Sequence, residues 1–383
     1  MTALGAPVRE AAATHPRGTP HPHKDDEDRE VRQVHEVHEV HDTQDARRVL
    51  DRCRELVRPA LMEAVGRSHL WVGEMAGYSF GWCEVGGAAA AGSGGKGVRQ
   101  ALAVLGAEAV GGPARAGVPA AVAVELVHAF SLLHDDIMDA DATRRGRPAV
   151  WKAYGTGPAV LAGDALFALA VETLALQPPP AGTDAVRRLS AALGDLVRGQ
   201  ADDLLFTARP WSGPDRVRPH EYRAMAEGKT GALLGCAAAL GAVLAGASPS
   251  VAAALDRAGR ELGVAFQVAD DVLGVWGDPA VTGKPVHGDL RERKKTFPVL
   301  AALDSPTGAA HRLAALLDRG GDPGEAAALA EAAGGRAAAL AEAGRRVAAA
   351  EAALTDVAAQ TPSAAGAVRD LRSLVGFAVR RDL

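Results

Sequence analysis

Residues 131–148 read SLLHDDIMDADATRRGRP, and this stretch decides how the chain is read. Asp135, Asp136, Asp139 and Asp141 fall within seven residues at the end of an apolar run. On a helix, Asp135 and Asp139 stand one turn apart on one face, with Asp136 about 100° around from them. Like charges at that spacing repel by roughly 0.2–0.5 kcal/mol per pair. A helix end that tolerates this beside apolar neighbours needs a cation. Hard carboxylate oxygens with open positions suit Mg2+ shared with phosphate oxygens. Arg144 and Arg145 follow at once, and guanidinium forks match diphosphate oxygens. Acids holding metal beside bases holding phosphate make a diphosphate site. The competing reading is a charged helix end with surface ion pairs.

A second acidic stretch, VAFQVADDVLGVWGDPAVTGKPVHGDLRERKKTFP, covers residues 264–298. Asp270 and Asp271 again end an apolar helix, with Gln267 one turn before Asp271. Asp278, Lys284, Asp289, Arg291, Arg293, Lys294 and Lys295 follow. Two acid pairs, each closing an apolar helix, suggest facing helices whose carboxylates share a metal cluster.

The surroundings are helical. Val49, Leu50, Cys53, Leu56, Val57 and Leu61 follow the three-four spacing of an amphipathic helix. Helices are expected over 96–110, 117–139, 158–176, 184–206, 219–247, 249–276, 297–318 and, in pieces, 323–378. Residues 83–95 read as a loop, and Pro178 to Pro180 and Pro210 to Pro219 as surface connections. Hydrophobic residues make up 48% but aromatics only 4%, so alanine and leucine fill the core, as closely packed helices allow. A net charge of −5 gives no basic footprint for nucleic acid. Cys53, Cys83 and Cys236 are scattered and odd in number, which fits free thiols in a reducing cytoplasm. The longest apolar run, Ala232 to Ala247, is too short and too rich in Ala and Gly for a membrane span.

Residues 1–45 differ in kind. They hold six of the twelve histidines, many acids and prolines, and the first aromatic is Trp71. Such a segment buries too little apolar surface to offset its ordering entropy, so it is expected to be disordered, with the all-helical domain over 46–383. His35, His38 and His41 recur every third residue. A solvated tail is favoured over a metal site there, and docking of a partner is a third use.

From about residue 46 onward the chain resembles the trans-isoprenyl diphosphate synthases, the farnesyl and geranylgeranyl diphosphate synthase group. The motifs stand in the family's order: GGKGVR, the first aspartate-rich stretch with RRG, GQADDL, GKTGALL, FQVADD, and TGK to KKT. The resemblance implies an all-α isoprenoid synthase bundle, about ten or more helices around a central cavity. It implies that Lys96, Arg99, His128 and Arg145 bind isopentenyl diphosphate. Asp135, Asp136, Asp139, Asp270 and Asp271 would ligate two or three Mg2+ ions. Arg144, Lys229, Thr230, Gln267, Lys284 and Lys294 would contact the allylic diphosphate. His128 lies two turns before Asp135 and is expected to face the same cleft. Cationic side chains and Mg2+ would stabilise charge on the departing diphosphate, and the double bond of isopentenyl diphosphate would attack the allylic cation. Phe130, with Ser131 beside it, would act as a floor that limits the product to C15–C20. The family also implies a homodimer.

Two departures stand out. Gly274 occupies the place where the family commonly has a third aspartate, which weakens metal binding on that side, and Gln100 replaces the usual proline after Arg99. The long tail is similar to that of polyprenyl transferases packaged as cargo in encapsulin-type shells, which makes residues 1–45 a candidate docking segment. A class I terpene cyclase shares the fold and the first acidic motif. It has no use for a Lys96/Arg99 site, and the second motif here is of the acid-lysine type. A non-catalytic subunit or cargo scaffold rests on the missing third aspartate alone.

Overall fold

The computed structural model describes residues 24–90, 95, 97–279 and 286–380, with side chains from Gln44 onward. The chain divides into two compact units, Met1–His41 and Asp42–Leu383. The described part is helical apart from one small hairpin. Helices α1 Lys24–Gly66, α2 Leu70–Ser79, α3 Val98–Glu108 and α4 Val118–Met138 come first. The hairpin pairs β1 Thr143–Arg144 with β2 Arg147–Pro148. Then follow α5 Val150–Tyr154, α6 Thr156–Ala175, α7 Ala181–Ala208, α8 Pro219–Ala226, α9 Ala232–Leu244 and α10 Pro249–Trp276. The chain closes with α11 Gly288–Arg291, α12 Phe297–Leu303, α13 Gly308–Asp318, α14 Pro323–Ala332, α15 Gly335–Gln360 and α16 Ala365–Arg380.

α10 has the bounds expected from sequence. Ser248 caps it by accepting from the Val251 N–H at 3.4 Å, Pro249 opens the first turn, and Gly277 follows the last. Two expected helices are broken. The run 219–247 carries a π-helical turn, Glu227–Gly231, between α8 and α9. The run 297–318 is interrupted before Pro306, which disfavours helix at the residue preceding it, and restarts where Thr307 caps Ala310. The tail also differs in part. The helix backbone begins at Lys24, inside the segment expected to be disordered, and residues 1–23 lie outside the described residues. Four acids just after Lys24 complement a helix N-terminus, a local signal that the compositional argument outweighed.

The core is built on close helix approach. α4 packs against α3, α6 and α9, and α10 against α9 and α15. A Cβ on Gly106 would overlap the Ala238 carbonyl, and one on Gly241 the Ala103 carbonyl, so α3 and α9 cross backbone to backbone. The stretch Ala114–Met138 and helix α6 are long and apolar enough by composition to cross a membrane. In the bundle α4 packs against α3, α6 and α9, and α6 also against α7, while Leu161 and Phe167 on α6 stay exposed.

Candidate active site

The first acidic region is where α4 ends and the hairpin begins. Arg145 and Gly146 form its two-residue turn, both at positive φ (53° and 75°), as tight hairpin turns require. That turn folds Arg144 back onto α4. Its Nε and Nη2 donate to Asp136 Oδ1 at 2.7 and 2.5 Å, and Asp136 is only 3% exposed. Asp136 is therefore clamped, whereas Asp135 is half-buried and Asp139 exposed. Across from them, Lys229 Nζ donates to Asp203 Oδ2 at 2.6 Å. A Cβ on Gly199 would overlap the Lys229 backbone nitrogen, so α7 and the π turn touch, and Asp203 follows one helical turn later. Burial lifts the Asp135 carboxyl to about 6, opposed by Lys229 and reinforced by Asp139 and Asp203. Burial also raises Asp139, against Lys229 and Lys294.

In the second region Asp271 is caged. Its Oδ2 accepts from the Tyr222 hydroxyl at 2.5 Å and from the Phe297 N–H at 2.8 Å, and its Oδ1 from Gln267 Nε2 at 3.4 Å. Thr230 Oγ1 in turn donates to Gln267 Oε1 at 3.0 Å, tying the π turn to this cage. Burial and the neighbouring Asp289 push Asp271 up to about 8, although Tyr222 and Phe297 favour its charged form. Asp270 is half-buried. Lys294 pairs with Glu292 at 2.6 Å and also feels Asp289 and, from the first acidic region, Asp141. Lys294 also bears on Asp139, so the second acidic region lies within electrostatic reach of the first.

A cationic pocket adjoins it. Arg99 Nη1 donates to His128 Nε2 at 3.2 Å. Burial, then Arg99, Arg145 and Arg144, hold His128 well below its usual range, so it is neutral. Glu125 balances these cations; burial raises its carboxyl while Arg99 draws it down. Arg144, Arg145, His128, Glu125 and Asp136 line a cavity of about 570 Å³. His128 shares this cavity with Asp136, whereas the two-turn spacing put it on the face of Asp135, which is not among the lining residues. Lys96 and Lys284 lie outside the described residues. Phe130 packs edge-on against His134 (4.8 Å between centroids) and beside Phe167 (5.7 Å), and Ser131 Oγ donates to the His128 carbonyl at 2.9 Å.

The five acids expected as one metal cluster divide into two kinds. Asp136 and Asp271 are buried and bonded to protein donors, because the residue beside a cleft-facing aspartate on a helix points about 100° away. Among the described residues no three carboxylate, His or Cys side chains converge on one point. The donor set nevertheless suits a divalent cation. Mg2+ takes one or two carboxylates and completes its shell with phosphate oxygens and water, so a protein cage of three is not required. Asp135, Asp139 and Asp203 bring three acids around the single ammonium of Lys229. Sequence reasoning missed roles for Asp203, Tyr222 and Glu125. The GQADDL motif pointed toward Asp203; nothing local marked the other two.

The polyprenyl synthetase family model matches residues 85–333. Geranylgeranyl diphosphate synthase of Mycobacterium tuberculosis is 47% identical over 314 residues, 80% of this chain and 88% of that protein. The crystal structure of a polyprenyl synthetase from Streptomyces coelicolor A3(2) is 45% identical, with a TM-score of 0.81 over 86% of this chain and 98% of that one. A polyprenyl synthase from Caulobacter crescentus CB15, crystallised with calcium and isoprenyl diphosphate, is 27% identical with a TM-score of 0.74 over 89% and 98%. With its helical bundle and paired acidic regions, this chain belongs to the polyprenyl synthetase family and is a prenyl-transferring enzyme.

Proposed function

We propose that this enzyme joins isopentenyl diphosphate to an allylic diphosphate, using bound Mg2+, and releases a prenyl diphosphate of C15 to C20. One observation carries the reading. Lys229 stands among Asp203, Asp135 and Asp139, while Lys294 reaches from the second acidic region to bear on Asp139 and Asp141. Acids and ammonium groups thus alternate across a single cleft, an arrangement that suits a diphosphate and its counter-ions and little else.

When bound, the divalent ions neutralise charge on the leaving diphosphate. Asp135, Asp139, Asp203 and Asp270 are the side chains that would hold them; Asp136 and Asp271 hold the scaffold. Lys229 and Lys294, with Lys284, stabilise the same departing charge as point cations. Thr230 and Gln267 link that site to the Asp271 cage. Arg99 and Arg145, with Lys96, hold the diphosphate that stays attached. His128, kept neutral, adds hydrogen bonding there without adding charge. Holding both substrates side by side places the double bond within reach of the allylic carbon. Phe130, backed by Phe167, supports a short-product floor. Exposed Leu161 and Phe167 on α6 and Val197 and Leu205 on α7 support association with a second copy.

Incubation with Mg2+, isopentenyl diphosphate and separate C5, C10 and C15 allylic primers tests the proposal. Elongated diphosphates ending at C15–C20 are expected. Cyclic hydrocarbons would favour a cyclase, and no turnover a scaffold. Residues 1–45 are proposed to dock the enzyme inside an encapsulin-type shell, and cofractionation with a co-expressed shell protein should disappear when they are deleted.

A further inference from the structure

The family model begins at residue 85, yet the segment before it is built against the arginine hairpin. Arg147 stands on β2, opposite Arg144 on β1. Its guanidinium lies 4.1 Å from the centre of the Tyr78 ring. Nη2 donates to the Cys83 carbonyl and to Glu84 Oε2, both at 2.9 Å, and Nη1 to the Tyr78 carbonyl at 3.4 Å. The Tyr78 hydroxyl donates in return to the carbonyl of Pro148, the second residue of β2, at 2.8 Å. Both residues of β2 are therefore fastened to the end of α2 and the turn after it.

The anchoring segment is itself held in place. The Trp82 N–H donates to the Gly77 carbonyl at 2.8 Å, and the Glu84 N–H to the Ala88 carbonyl at 2.7 Å. Glu74 Oε1 accepts from the Gly86 N–H at 2.7 Å and from the Tyr154 hydroxyl at 2.9 Å, which ties the segment to α5. The far side of the hairpin is less restrained. Arg144 has its own anchor in Asp136. Arg145, in the turn, donates no side-chain hydrogen bond among the described residues, and a Cβ on Gly95 would lie 2.8 Å from its Nη2. The direction of Arg145 is set by the hairpin backbone, and the hairpin is set by whatever holds β2. Arg147 and Tyr78 also line the 570 Å³ cavity, but Nη1 and Nη2 of Arg147 are taken by protein acceptors.

We propose that Arg147 is a positioning residue for isopentenyl diphosphate. It bolts β2 to the end of α2 and, through the hairpin turn, holds the Arg145 guanidinium at the cavity. The inference rests on the proposed function above and extends it to residues 78–84, which the family model does not cover. Because Asp136 holds Arg144 separately, losing the bolt disturbs one substrate and spares the other.

Steady-state kinetics of the full-length enzyme with Mg2+ test this, each of isopentenyl diphosphate and a C10 allylic diphosphate being varied in turn. Arg147→Ala is expected to raise the KM for isopentenyl diphosphate about tenfold, with kcat and the allylic KM within about threefold of the parent. Arg147→Lys keeps a cation at the Tyr78 ring but loses the fork, and is expected to recover part of that affinity, to about threefold above the parent. Partial unfolding would lower the apparent kcat and leave KM unchanged, so the split separates positioning from stability. Glu84→Ala removes a carboxylate partner and leaves Arg147 its charge; a rise of about threefold in the same KM is expected. A fall in that KM would show the guanidinium binding diphosphate directly and overturn the positioning role. An unchanged KM in Arg147→Ala, or equal rises for both substrates, would also overturn it while leaving the synthase reading intact. A parent protein that elongates no allylic diphosphate would overturn both.

Discussion

The two acidic regions carry the same pair of adjacent aspartates and hold them differently. At the end of α4, Asp136 is clamped by the guanidinium of Arg144, an ion pair whose cation is 36% exposed. At the end of α10, Asp271 is held by a phenol, a backbone N–H and an amide, with no cation bonded to it among the described residues. In each pair the other member, Asp135 or Asp270, is left half-buried. One aspartate of each pair is thus bonded into the scaffold, and the other is the member proposed to serve the reaction. The first clamp stays in touch with water and the second does not.

The largest expected effect comes from the cleft members. Asp135→Ala and Asp270→Ala should each lower kcat by about 10²–10³, the range seen when one preorganised electrostatic group is removed. The thermal midpoint should stay within about 2 °C of the parent, since neither side chain closes a buried hydrogen-bond network. Steady-state kinetics at saturating Mg2+ with calorimetric melting would check this. Full activity in Asp135→Ala would break the division of roles and, with it, the placing of the reaction in this cleft.

The clamped members should behave in the opposite way, and unequally. Asp271→Ala leaves the Tyr222 hydroxyl and the Phe297 N–H without their acceptor in a buried setting, at about 1–3 kcal/mol for each such group. Asp136→Ala frees a guanidinium that water can reach, so about 1 kcal/mol is expected. Urea unfolding of the two variants measures the difference. Equal losses would mean that the cation, not the burial, sets the strength of these clamps.

This contrast bears on what the amino-acid pattern could reveal. α10 and the two acid pairs were readable because apolar periodicity and the Ser248-Pro249 start are local signals. The split within each pair follows from helix geometry once the buried face is known, yet the family resemblance grouped all five acids as ligands. The π turn at Glu227–Gly231 was not readable: its residues suit an α-helix equally well, and the turn is tied to the contact of Gly199 and Gly228 across to α7. The roles of Tyr222 and Glu125 depend on partners 49 and 26 residues away in sequence, Asp271 and Arg99, and a lone tyrosine or glutamate carries no mark of that.

The smallest expected effect lies behind the second clamp. Arg223, next to Tyr222, donates Nε to Glu342 Oε1 at 2.8 Å and stacks 5.1 Å from the ring of Phe297, whose N–H bonds Asp271. Glu342, 2% exposed, also receives Arg345 and Arg346. Burial pushes its carboxyl up, but the hydrogen bonds of the three arginines outweigh this and hold it at about 2. A carboxyl held below its ordinary 4.5 stabilises the fold fully above that pH and loses the contribution as pH falls toward about 2. Glu342→Gln should therefore cost about 2 kcal/mol at pH 7. That is less than the ~3–5 kcal/mol of a fully buried broken pair, because the arginines keep contact with water. The difference in unfolding free energy between parent and variant should shrink steadily below pH 4.5, while kcat at pH 7 stays within about threefold, since no group in the cleft is touched. A gap between parent and variant that is flat with pH would show that packing, not charge, ties α15 to the Asp271 cage.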